Sequence, residues 1–224
     1  MAASSTVKRE SLVDQLYRLI IDRIQSGALS PGARLNIEEL SAEFEVSRTP
    51  MREAISKLSQ DGFVATRHNS GPAVIKFDRR QIVEIIKTNA VLFDGIMDSY
   101  TEAEPAELAA LLAELDEVVR RQRAALAAGE IDSFYASSIR FHLALIEHCP
   151  NRTLGRLARQ TQYKINMCAL YYQKSPETRH LSLKEHEKIS ELLRAGDARR
   201  AAALMKSHNK LALAQFLASA DSLE

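Results

Sequence analysis

The sequence contains no tryptophan, and its 224 residues include only two cysteines, six prolines and eight glycines. Aromatic residues make up 6%. A β-sandwich or barrel needs frequent turns and aromatic cross-strand pairs, so this composition disfavours both. Charge of one sign is missing too. Lys and Arg number 30 against 29 Asp and Glu, a formal net charge of +1. Whole-chain electrostatics therefore gives no argument for a polyanionic partner, which must be argued from local placement. Cys149 and Cys168 are too few for a metal knuckle. The segment Met1–Lys8 has no apolar signal-like core, so both cysteines are expected as reduced thiols in a cytoplasmic protein. No apolar run approaches bilayer-spanning length, so no membrane partner is expected.

What is present favours helix. Hydrophobic residues reach 46%, enough for a core, and the bias is towards Ala, Leu, Glu, Arg and Ile. The length fits one large or two modest domains. From Ser11, the residues Leu12, Leu16, Leu19, Ile20 and Ile24 recur at helical spacing until Gly27. After the Ser30-Pro31-Gly32 turn, Asn36 and Glu39 form a capping-box signal for a short helix carrying Ile37, Leu40 and Phe44. Val46 and Ser47 make the next turn. A further helix begins at Ser47 or Thr49, with Pro50 in its first turn and Met51, Ala54, Ile55 and Leu58 on its buried face. Asp61-Gly62 stops it. Two β-prone runs follow, 63–66 and 73–75, joined by a polar tip at 67–72.

From about Gln81 onwards only helical periodicity remains. It is broken at Thr101–Pro105, Gly129–Asp132, Cys149–Asn151, Lys174–Pro176 and Gly196–Asp197, giving five or six helices. The expected fold class is mainly α: a winged helix-turn-helix over residues 8–77, then an all-α bundle over residues 80–220.

Three short helices and a hairpin read as a winged helix-turn-helix, whose second paired helix presents its first residues to the major groove. Here those residues are Ser47, Arg48, Thr49 and Arg52. Arginine can grip guanine O6 and N7 with two parallel hydrogen bonds, and a helix N-terminus attracts phosphate. Residues 1–77 hold ten basic and nine acidic side chains, close to neutral. The signs are segregated, however: acids crowd the first helix of the pair, while Arg48, Arg52, Lys57 and Arg67 lie on the expected reading elements.

Residues 12–77 resemble the DNA-binding domain of the GntR family of bacterial transcription regulators, on Ile24–Gly27, Leu29–Leu35, Leu40–Ile55 and Leu58–Phe63. The resemblance implies contacts to double-stranded operator DNA from Arg34, Ser47, Arg48, Thr49 and Arg52, and from wing residues near His68 and Gly71. The family wing usually has an Arg-x-Gly tip. Here His68, Asn69 and Ser70 separate Arg67 from Gly71.

In the second region, His142, His186 and His208 each sit three or four residues from apolar neighbours on a different helix. Bundles commonly build metal sites from inward residues on facing helices, and imidazole suits Zn, Ni or Fe. The segments Phe141-His142, Asn151, Leu154, Glu185-His186, Ala195–Ala198, Ala202, Met205 and His208 are similar to the FCD effector domain of the FadR subgroup. That resemblance implies a divalent metal held by these three histidines and by an Asp one turn before the first, where this chain has Ser138. Two outcomes follow. A metal binds with the effector's carboxylate and water completing its shell, or the histidines hydrogen-bond the effector directly.

The expected function is a ligand-responsive transcriptional regulator, a repressor. It would bind a pseudo-palindromic operator as a homodimer, because one helix-turn-helix reads a half-site. It would respond to a small carboxylate effector at Ser138, His142, His186 and His208. The rival is a metal-dependent helical-bundle enzyme using the same histidines, with Ser138 and Glu185 as candidate nucleophile or base. No Ser/His/Asp order, Gly-rich phosphate loop or zincin motif accompanies them, so the regulator is the stronger reading.

Overall fold

In a computed structural model, residues 11–67, 71–169 and 176–220 are described, with backbone alone at 67, 168, 169, 176, 177, 216 and 218–220. The chain divides into two compact units between Lys76 and Phe77.

The first unit begins with α1 (Leu12–Gln25), whose N-cap Ser11 accepts from the Asp14 N–H. Leu16, Ile20, Ile21 and Ile24 are buried, whereas Leu12 and Leu19, which share the helical apolar pattern, are exposed. The helix α2 (Ile37–Glu43) is capped by the Asn36 side chain, which accepts from the Glu38 and Glu39 N–H groups. Glu39 does reach back, but it takes its hydrogen bond from the Asn36 side-chain amide at 2.7 Å rather than from the backbone. The helix α3 (Arg48–Gln60) buries Met51, Ala54, Ile55 and Leu58 and ends at Asp61, with Gly62 left-handed at φ 74°.

The hairpin pairs β1 (Val64–Arg67) with β2 (Gly71–Val74) antiparallel, with Arg67 opposite Gly71. Both strands run further towards the tip than their apolar residues suggest, so Gly71 and Pro72 belong to a strand and not to the loop. Residues 68–70 alone lie between the strands. A third edge escaped the sequence reading. The segment 32–35 lies along β2, with Arg34 bridged to Ala73 and the Leu35 N–H donating to the Pro72 carbonyl at 2.8 Å. Proline has no N–H to give but keeps its acceptor, so it is tolerated there.

Every element of the second unit among its described residues is helical. The helix α4 (Arg79–Ser99) opens with a full capping box between Asp78 and Gln81, and a 3₁₀ turn, Tyr100–Glu102, follows it. Then come α5 (Pro105–Ala128), α6 (Ile131–Glu147), α7 (Arg152–Ala169), α8 (Pro176–Arg194) and α9 (Ala198–Ala220). Six helices thus stand where five or six were expected. The expected break at Lys174–Pro176 falls mostly outside the described residues, with α8 opening at Pro176. Each helix packs on two neighbours, in the cyclic order α4, α7, α6, α5, α8, α9 and back to α4.

The ring encloses a core that includes Phe93, Leu111, Phe134, Phe141, Leu145 and Ile189. The buried Tyr100 hydroxyl donates to the Leu145 carbonyl, and burial raises its pKa well above the usual phenol range. At Gly155 a Cβ would stand 2.7 Å from the Ile146 carbonyl, so only glycine lets the first turn of α7 lie against the end of α6. Among the described residues no helix is long and apolar enough to cross a membrane.

Candidate functional site

In the first unit the face of α3 opposite its buried stripe carries Arg48, Thr49, Arg52 and Ser56, all exposed. The turn into this helix depends on Glu45, a non-glycine residue at φ 55°, which sequence reasoning did not single out. Ser47 is the N-cap but makes no side-chain capping bond. The first N–H groups of α3 are therefore left without a capping bond from Ser47. Arg52, Ser56, Ser59 and Gln60 line one wall of an open groove, and Thr66 and Pro72 of the hairpin line the other. Arg34 is exposed on the third edge of the sheet, and Gly71 is exposed at φ 71°. His68 lies outside the described residues.

The charges of this unit are sorted by task. Arg23 of α1 makes a two-pronged bond to Glu43 at 2.6 and 2.8 Å, and Lys57 of α3 pairs with Asp14 of α1. These cations hold both carboxyls below the usual carboxylate range. Lys57, grouped with the reading residues on sequence grounds, is thereby turned to α1 and serves the scaffold. Arg48 pairs with Glu38 at 2.9 Å, with 62% and 66% of the two side chains exposed, a bond that water and salt weaken. Among the described residues neither Arg34 nor Arg52 has an ion-pair partner.

In the second unit α6, α8 and α9 bring His142, His186 and His208 together. One ring nitrogen from each lies within 4.8 Å of the others, and the ring centroids are 5.0–5.2 Å apart. Phe141 stacks on His186 at 4.0 Å, and Phe93 of α4 meets His142 edge-on at 5.5 Å. Two rings are oriented from behind. The Nδ1 of His208 is 2.7 Å from Glu185 Oε2, and the Nδ1 of His186 is 2.8 Å from Gln122 Oε1. A carboxylate and an amide oxygen only accept, so in these pairs each Nδ1 is the donor. An outer acceptor behind an imidazole is an arrangement that metal-binding histidines use, and a donor set of three imidazoles fits Zn, Ni or Fe.

Ser138 is buried one turn before His142. Glu185, weighed on sequence grounds as a catalytic base, instead backs His208. A small cleft between α8 and α9, lined by Thr178, Ser182, Leu211 and Gln215, reaches Glu185 and His208.

Sequence reasoning missed the buried amides Asn89 of α4, Gln122 of α5, and Gln162 and Asn166 of α7. Each occupies a position where the helical stripe calls for an apolar residue. That polar interruption was the available signal.

A basic helix laid beside a wing in one unit, joined in the chain to a second, helical unit, is the make-up of a DNA-binding regulator. Residues 12–74 match the model for bacterial regulatory proteins of the gntR family, and residues 101–211 match the FCD domain. The chain belongs to the GntR family and carries an FCD domain; it is a transcriptional regulator and not an enzyme. It is 27% identical to the HTH-type transcriptional regulator YdhC of Bacillus subtilis, over 79% of this chain and 78% of that one. It is 28% identical to the HTH-type transcriptional repressor RspR of Escherichia coli, over 59% of this chain and 57% of that one. The solved structure of E. coli McbR/YncC shares the fold at TM-score 0.80 and 22% identity, covering 94% of this chain and 99% of that one.

Proposed function

We propose that the chain is a cytoplasmic repressor that binds a pseudo-palindromic operator as a homodimer and changes its DNA affinity when a small carboxylate occupies the helical unit. The observation that carries this reading is the exposed face of α3, where Arg52 borders the groove against the wing with no ion-pair partner among the described residues. Arg48 and Arg52 read base edges. Ser47, Thr49 and Arg34 grip the backbone, and Gly71 with the tip residue His68 lets the wing approach it. One such face covers a half-site, which is why the operator is two-fold and the protein dimeric. Repression follows if the operator overlaps a promoter, and one relative bears the name of a repressor.

In the helical unit His142, His186 and His208 hold a divalent metal, which supplies a Lewis-acidic seat for the effector's carboxylate. Ser138 lies where a fourth, anionic ligand would otherwise stand, so coordination is left over for the effector. A ligand shifts the regulator only by its differential affinity for the DNA-binding and non-binding states.

Gel retardation of the DNA flanking the protein's own gene, with and without a chelator, tests the reading. A discrete complex whose affinity changes on metal removal supports it. No retardation under either condition contradicts it.

A further inference from the structure

The ring interior has a second polar station besides the histidines. Asn89 of α4 donates through Nδ2 to Gln162 Oε1 at 3.2 Å, and Gln162 donates through Nε2 to Asn166 Oδ1 at 2.9 Å. The three side chains are 5%, 3% and 2% exposed. At the two ends of this relay, Asn89 Oδ1 and Asn166 Nδ2 are buried without a hydrogen-bond partner. Reversing all three amides would leave a donor at the first end and an acceptor at the second. Either way the relay offers one donor and one acceptor. Buried amide atoms are costly to leave unpaired, so three such residues in an apolar stripe mark a group to be bound.

The relay adjoins the histidine centre. Asn89 is one turn before Phe93, whose ring meets His142, and α7 packs on both α4 and α6. Among the described residues of this unit, no Lys, Arg, Asp or Glu is among the buried ones. A charged ligand group at the relay would find no buried charged side chain to pair with, whereas an uncharged one with both a donor and an acceptor would satisfy it.

We propose that the effector is bifunctional: beside the carboxylate taken by the histidine centre it carries an uncharged amide-like group, a carboxamide or ureide, that hydrogen-bonds to Asn89 and Asn166. The inference rests on the helical unit being the effector domain, as proposed above.

The test uses the full-length, zinc-loaded protein and three matched probe pairs: malonate and malonamate, succinate and succinamate, glutarate and glutaramate. Each half-amide keeps one carboxylate and exchanges the other for a carboxamide. Affinity is read from the ligand-dependent rise in melting temperature. At least one half-amide is expected to bind about tenfold more tightly than its dicarboxylate, the size of one satisfied buried hydrogen bond. The Asn89→Leu/Gln162→Met/Asn166→Leu variant replaces the relay by apolar groups of similar volume. It is expected to keep its ligand-free melting temperature within a few degrees and to lose the preference. No half-amide exceeding its dicarboxylate, or a preference that survives in the variant, overturns the proposal. Gel retardation on the same preparations separates the two readings: an amide preference without DNA binding refutes the regulator and spares the relay, and the reverse refutes the relay alone.

Discussion

Glu185 stands behind His208: its Oε2 is 2.7 Å from Nδ1, with the imidazole 4% and the carboxylate 12% exposed. This pairing makes Nδ1 the donor and places a carboxylate behind a ring that stands beside His142 and His186. Outer partners of this kind are typically worth about 10–100-fold in metal affinity. Glu185→Gln keeps the shape and removes the charge, so zinc affinity measured by chelator competition is expected to fall by that factor. Unchanged affinity would detach Glu185 from the centre.

Ser138 is buried one turn before His142 and offers only a neutral hydroxyl. Ser138→Asp puts a carboxylate there, costly without a cation and favourable beside one. The variant is expected to melt below the wild type in chelator and above it in zinc. A carboxylate that lowers the melting temperature equally in both would show that this position does not face the metal.

The Arg48–Glu38 pair is exposed, and on the reading proposed above it competes with DNA for the same guanidinium. Glu38→Ala removes the competitor and one negative charge near the phosphates. DNA affinity is expected to rise at low salt, with the gain shrinking as salt increases. Weaker binding at low salt would mean that Glu38 positions Arg48 for its contact.

The Lys57–Asp14 and Arg23–Glu43 pairs tie α1 to α3 and α2, and the two cations hold the carboxyl pKa values down. A carboxyl lowered on folding contributes stability above its unfolded value and loses it as pH falls through the folded one. Glu43→Gln is therefore expected to melt slightly below the wild type at neutral pH, the small margin of a solvent-exposed pair. The two curves should converge as the pH falls through the lowered folded-state value, where the carboxylate protonates. A constant offset down to pH 3 would assign the effect to packing.

Local signals carried much of this fold into the sequence. Ser11, Asn36, Gly62 and Gly129 mark helix ends through caps and left-handed turns that need only near neighbours. The stripes of Met51, Ala54, Ile55 and Leu58, and of the bundle helices, mark buried faces. What depends on distant partners was not legible. The edge at 32–35 exists because Pro72 offers a carbonyl across space, and Lys57 faces α1 because Asp14 is there. The histidine trio could be read from its spacing, but its outer shell could not: Gln122 and Glu185 gain their roles when α5 and α9 pack beside α8.

The central claim is that α3 lays arginine against base pairs, and a paired anisotropy titration addresses it directly. Wild type and Arg52→Ala are titrated with the retarded upstream DNA and with a scrambled duplex of equal length, at one salt concentration. The variant is expected to lose about 1–3 kcal/mol on the specific DNA. On the scrambled duplex it should lose much less, because Arg52 is exposed and its removal leaves the fold intact. Equal losses on both duplexes, or none on the specific one, would contradict base reading by this helix.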